Sequence, residues 1–316
     1  MALNAQHVKN TLLRSSGLVI FFLLWEFAPR LGWADPQFVP PFSTVFHTIH
    51  HLWLDGSLIT HLVVSLWRAL LGLLIAVIIA LPLGFLLGGW LTGLAQTLNP
   101  LFRLLGQVNP FSLMPVFILF FGIGEGAKLA IVAWVCLWPV LFHTITGVQT
   151  IDPLLLKSAL AMGISRPDLF TKVLLPGAAP TIFVGLRLGA GLAFFMLIAA
   201  EMLGASAGLG WLLHNAGAVF QIPRIYAAGF FIILMRIVVN RVLLYLEKGI
   251  FIWKESSPVF MAGTDTGKVS KLTRRELALA TVILVGILFY GGIEVEKVNQ
   301  GLNQDNHSNH QSHQEK

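Results

Sequence analysis

Between Ala69 and Phe102 lie 34 consecutive residues without a formal charge. A helix needs about 20 mostly apolar residues to cross roughly 30 Å of hydrocarbon, so this run is longer than one crossing and must turn. Lipid offers backbone N–H and C=O groups no partner, which restricts spanning segments to helices or closed barrels. The rest of the chain agrees with helices. Of its 316 residues 56% are hydrophobic and only 11% charged, against about a quarter charged in a soluble domain, and the mean hydropathy is +0.77. The chain is expected to be an all-α, polytopic membrane protein.

Stretches between charged breaks give the crossings. The first runs from about Leu13 to Pro29, too long and too poor in small residues at its end for a cleavable signal. The charge-free run divides into a helix from about His61 to Trp90, a turn at Gly93, Asn99 and Pro100, and a helix from about Leu101 to Gly122 interrupted by Pro110 and Pro115. Further helices are expected over Lys128–Gln149, Thr181–Leu203 and Arg224–Leu246, and a seventh over Leu277–Ile293 after a polar linker. The domain division is therefore 1–60 for the first helix and its outer loop, 61–253 for the core, 254–275 for a cytoplasmic linker, 276–293 for the last helix and 294–316 for a disordered tail rich in Asn, Gln and His. No internal repeat is visible.

The net charge of +6 has a simple explanation in a membrane chain, because cytoplasmic loops collect Lys and Arg. With the N-terminus inside, 14 cations fall on the cytoplasmic side and six outside, Arg68 and Lys128 among the six. The expected arrangement is N-terminus in, tail out. No basic stripe with interleaved aromatics points to nucleic acid. The lone Cys136 excludes an intramolecular disulfide and a multi-cysteine metal site. The sequence contains no metalloprotease pair or nucleophile elbow, so no catalytic or metal-ligating residue is assigned. GTDTGKVS at Gly263–Ser270 is one residue short of a phosphate-binding loop, carries Val269 at the Ser/Thr position and has no preceding strand.

The longest connection between core helices, DPLLLKSALAMGISRPDLFTKVLLPGAAP within 152–180, is built like two short helices. Leu154, Leu155, Leu156, Ala159 and Leu160 give the first an apolar face, and Gly163 can take a left-handed conformation at its end. Ser165 can cap the second, with Pro167 in its first turn and Asp168 three residues after the cap. That helix is expected to end before Pro176. Leu169, Phe170 and Val173 lie on one side and Arg166 and Lys172 on another. The apolar side has three possible destinations: its own bundle, lipid headgroups or a groove on a partner protein.

The spacing of Ser158, Ala159, Gly163, Leu175 and Pro176 resembles the cytoplasmic signature loop of permeases of binding-protein-dependent ATP-binding-cassette importers. NPFSLMPVFILFFGIGEGAKLAIV before it and GLRLGAGLAFFMLIAAEMLGASAGLGWLL after it resemble the nitrate, sulfonate, taurine and bicarbonate branch. The likeness covers roughly Phe38–Trp253. Lys157 stands where such permeases often carry glutamate, and the Leu277–Ile293 helix is additional to the usual six-helix core.

The resemblance implies a type I importer permease fold in the inner membrane, forming a homodimer in the lipid bilayer. Cytoplasmic ATPase subunits would bind ATP and Mg, a periplasmic binding protein would deliver solute, and this chain would hold no cofactor. It also implies that ATP-driven closure pulls on the loop, with Gly163 and Pro176 as corners, Ser165 and Asp168 as the cap, and Leu169, Phe170 and Val173 as the inserted surface. Arg166 and Lys172 would face acidic groups. The rivals are a stand-alone secondary transporter or channel, which would need coupling-ion residues in broken helices, and a membrane-embedded enzyme.

Ionisable residues inside a membrane are costly and point to a polar interior. Glu201 and Arg236 are the candidates, either paired with each other or near the solute path. Gly84 and Gly88, Gly89 and Gly93, and Gly185 and Gly189 have the spacing that lets helices approach closely. The Gly204–Gly217 segment, containing His214, is expected to form a short outer helix. His47, His50 and His51 suit a surface helix, and His307, His310 and His313 a solvated tail.

Overall fold

The computed structural model describes residues 16–17, 19–250, 286–298 and 300, and every regular element among them is helical. In chain order these are α1 (19–30), α2 (Phe42–Leu54), α3 (Ser57–Phe85), α4 (Thr92–Gln107), α5 (Pro110–Phe121), α6 (Glu125–Gln149), α7 (Pro153–Ala161), α8 (Arg166–Leu169), α9 (Leu175–Gly204), α10 (Leu209–Ala218), α11 (Ile222–Ile250) and α12 (286–298). Wide π turns at Leu86–Trp90 and Phe170–Leu174 extend α3 and join α8 to α9. Among the described residues four helical runs are long and apolar enough to cross a membrane: Ser57–Trp90, Glu125–Gln149, Arg166–Gly204 and Ile222–Glu247. The 254–275 linker, the tail histidines and most of the expected Leu277–Ile293 helix lie outside the described residues; where the description resumes at 286, the helix runs on to 298.

The core is a three-rod stack in which α6 packs between α3 and α9. Small residues make the approach close: a Cβ on Gly84 would stand 2.5 Å from Thr144, and one on Gly185 2.8 Å from the Pro139 carbonyl, so these glycines set the helix spacing. Ala76, Ile131, Val132, Cys136, Ala193 and Leu197 fill the seams. Helices α10 and α11 close one side of this stack, and α2 packs on α11. His47, His50 and His51 are exposed on α2.

Three boundaries differ from the sequence expectation. Asn99 and Pro100 lie inside α4 and do not form a turn; the chain turns at Leu91 instead. The expected single span 101–122 is two helices bent by 91°. The break falls where Asn109 caps α5 by accepting from the Phe111 N–H and Pro110 occupies the first turn, a combination that starts a new helix rather than kinking an old one. The third difference is at Pro176, which continues the helix. In the π turn the Leu175 N–H donates to the Phe170 carbonyl five residues back, and this wider register lets the helix accommodate a proline that lacks a donor.

Candidate functional site: a buried charge network and a capped elbow

Two sites stand out, one in the body of α3 and one at its C-terminal end. Arg68 lies 22 residues before Trp90, which is about 33 Å along a helix. The first site surrounds Arg68, whose side chain is 1% exposed. Its Nη1 donates to Glu201 Oε1 at 2.8 Å and to the Ala207 carbonyl at 2.6 Å, while Nε and Nη2 grip the Glu125 carboxylate at 2.7 Å each. Lys128 Nζ donates to Glu125 Oε1 at 3.0 Å. Two cations thus meet two carboxylates, and charge balance is what makes such burial tolerable.

The Glu201 carboxylate also sits over the start of α10. The Gly210 N–H donates to its Oε2 at 2.9 Å and the Ser65 hydroxyl lies 2.8 Å from both oxygens. The Leu209 N–H donates to Ser65 Oγ at 2.8 Å, and the Gly208 N–H to His61 Nδ1 at 3.1 Å. Three orphan donors of the α10 N-terminus are therefore satisfied by side chains of α3 and α9. Gly208 has φ +125°, and a Cβ there would stand 2.4 Å from Glu201, so only glycine allows the carboxylate to come so close. Chemically the arrangement is a lock: it fixes the α9–α10 corner to α3 and pairs each buried charge with an opposite one.

The sequence reading paired Glu201 with Arg236 as one possibility; the structure separates them. Arg236 is exposed on α11, where its guanidinium faces Gly191 of α9. Arg68 and Lys128, counted as outer-loop cations, are instead buried in helices. The signal that finds Arg68 is the stripe His61, Ser65 and Arg68, spaced by four and three residues on one face of an otherwise apolar helix.

The second site is the connection between α6 and α9. Asp152 caps α7 by accepting from the Leu154 N–H at 2.8 Å. Ser158 and Ala159 lie in α7, with Ala159 buried, and Gly163 turns the chain with φ +74°. Ser165 Oγ accepts from the Asp168 N–H and donates to Asp168 Oδ2 at 2.8 Å, while Lys172 reaches Asp168 at 2.8 Å. Arg166 is exposed. Pro176, expected as a corner, is helical. Leu169, Phe170 and Val173 are half-buried; the Phe170 ring packs on the chain's own Phe85 at 5.0 Å and stacks on Trp90 at 6.4 Å. Apolar exposure falls on α7 and its end, where Leu154 is 68% and Met162 73% exposed, with Leu155 and Leu160 over half exposed.

Residues 70–252 match the family model described as binding-protein-dependent transport system inner membrane component. A Methanocaldococcus jannaschii protein described as an ABC transporter permease is 32% identical over 79% of this chain and 94% of its own length. The taurine transport system permease protein of Escherichia coli is 32% identical over 63% of this chain and 74% of its own. Among solved structures, an inward-facing methionine ABC transporter superposes with a TM-score of 0.56, at 16% identity over 62% of this chain and 97% of that one, which establishes a common fold.

Proposed function

The chain belongs to the family of binding-protein-dependent transport system inner membrane components, is a multi-pass permease subunit of an ABC importer and not a catalyst, and from that premise we propose how it is driven and what it carries. Two copies pair in the inner membrane, cytoplasmic ATPase subunits bind ATP and Mg and grip the α7–α8 elbow, and a periplasmic binding protein delivers the solute. The N-terminus is cytoplasmic. The solute is a small oxyanion or organic sulfonate, such as taurine or nitrate, by analogy with the taurine permease of Escherichia coli and a nitrate import permease protein of Leptolyngbya laminosa, 34% identical over 52% of this chain.

The observation that carries the coupling role is the exposed apolar surface of Leu154, Leu155, Leu160 and Met162 on a connection stiffened at both ends by caps. Exposed leucines beside a charged, capped turn favour a protein groove as their cover. Phe170 supplies the inward link: held between Phe85 and Trp90, it passes a pull on the elbow to the end of α3. A solute or nucleotide shifts the inward and outward states only by contacting them differently, and a stiff elbow makes ATP closure felt as such a difference.

The test is reconstitution in liposomes. ATP-dependent uptake of labelled taurine or nitrate that needs the ATPase and the binding protein supports the reading. Uptake by the lone chain without ATP would instead establish the stand-alone transporter.

A further inference from the structure

We propose that Arg236 and Asn240 form an anion-binding step on a water-filled path along the α9–α11 seam, taking a small sulfonate or oxyanion by its oxygens. The proposal rests on the transport reading above. It starts from charge accounting. Among the described residues, every other ionisable group at membrane depth on α3, α6 and α9 is paired: Arg68 with Glu125 and Glu201, Lys128 with Glu125, and Arg187 with Glu247 at 2.9 Å. Arg236 has no hydrogen bond or ion pair to any described residue.

Its depth makes that bareness informative. Arg236 follows Ile222 by 14 residues and precedes Glu247 by 11, about 21 Å and 16 Å along the helix, so it lies near mid-membrane. A guanidinium there is expensive unless it meets water, a partner or a ligand. Lipid tails offer none of these.

The position on α11 favours water. Ala227, Ala228, Phe231 and Met235 make the packed face. Arg236 lies at the edge of that face, and Asn240, one turn further on, is exposed beside it. Across the seam stands Gly191, where even a Cβ would come only to 3.8 Å from Arg236 Nη2. The guanidinium therefore lies against the surface of α9 at an ordinary contact distance. Arg236 and Asn240, four apart, form one short polar step in the middle of α11, whose other charged residues, Arg224, Arg241 and Glu247 among them, lie nearer its ends.

The chemistry then selects the ligand. A planar guanidinium presents parallel N–H donors that match two oxygens on one centre, as in a sulfonate or nitrate, and an Asn amide adds a donor one turn away. An uncompensated cation attracts an anion without the closed cage that would trap it, as conduction requires; Arg241, on the opposite flank of α11 and nearer its end, is likewise exposed and without a partner among the described residues.

The experiment uses the full importer with its ATPase and binding protein in proteoliposomes. Cys136 is the chain's one cysteine and is buried, so single cysteines report cleanly. Arg236→Cys and Asn240→Cys are treated with 2-sulfonatoethyl methanethiosulfonate, itself a sulfonate, and compared with Val238→Cys on the opposite flank of α11. The path predicts labelling at 236 and 240 at least about tenfold faster than at 238, with taurine or nitrate slowing the reaction at 240, where Arg236 is intact. In uptake assays Arg236→Gln should raise KM for the anion at least about tenfold and Arg236→Lys less. Labelling at 236 and 240 no faster than at 238, or an unchanged KM in Arg236→Gln, overturns the proposal. Absence of ATP-driven uptake by the unmodified importer would sink the functional reading instead, and the labelling pattern would still decide whether water lines the seam.

Discussion

Arg68 holds three partners at once, and without it the fully buried Glu201 would keep only neutral donors, Ser65 and the Gly210 N–H. Removing one member of a buried ion network typically costs about 3–5 kcal/mol, because the remaining charge stays buried unpaired. Arg68→Met is therefore expected to lower the melting temperature of the detergent-purified permease sharply, and adding Glu201→Leu should recover part of that loss. A double variant that melts no higher than the single one would show that Glu201 does not depend on Arg68. Gly208→Ala should destabilise by about 1–3 kcal/mol through its unfavourable φ alone, with the Glu201 contact adding to it. Glu201 was visible in the sequence as a charge in an apolar run. Its partner was not, because counting charges near span ends assigns them to loops, whereas Arg68 sits 11 residues into a 29-residue helix. Which carboxylate meets which cation depends on how α3, α6 and α9 are rotated, and that rotation is set by packing that no single segment encodes.

At the scale of elements, the elbow between α6 and α9 was legible in kind because its caps are local. Gly163, Ser165 and Asp168 act on neighbours within a few residues, and the left-handed turn and the Ser165 cap are present, with Asp152 adding a cap at the start of α7. What local chemistry could not give was the continuation through Pro176, which needs a π turn supported by packing of Phe170 on another helix. It also could not say which apolar face would be left open. The structure divides the roles, with Phe170 turned inward and Leu154, Leu155, Leu160 and Met162 outward. Substituting Leu154→Asp with Leu155→Asp should thus abolish co-purification of the ATPase while leaving the melting temperature unchanged within a degree or two, since both side chains are already exposed. A stable variant that still captures the ATPase would remove α7 from the interface. Ser165→Ala removes a cap worth about 1 kcal/mol and should lower solute-stimulated ATP hydrolysis while leaving ATPase binding intact.

For the whole molecule the telling feature is α5. Twelve residues make a helix of about 18 Å, little more than half the hydrocarbon thickness. It is bent 91° from α4 at Val108 and Asn109, and wherever such a bend lies within the bilayer its backbone must be covered by protein or water. One face of α5 is anchored by Met114 with Phe117 and Ile118. The other carries Leu119 at 83% and Phe120 at 77% exposure, followed by Ile123 at 82%. If the proposed second copy seats against α5, it covers this half-span and its open ends. Leu119→Cys or Phe120→Cys in native membranes should then form an oxidant-induced dimer, whereas Ile78→Cys, also well exposed on α3, should stay monomeric. If the contact lies there, the half-spans of both copies and the two α9–α11 seams bound one central space. A pull on the elbow would widen or close that space by tilting α9 as a rod, while the Arg68 network keeps its far end fixed to α3. Equal crosslinking at 119 and 78 would place the pairing surface elsewhere and leave the ends of α5 to be covered by water.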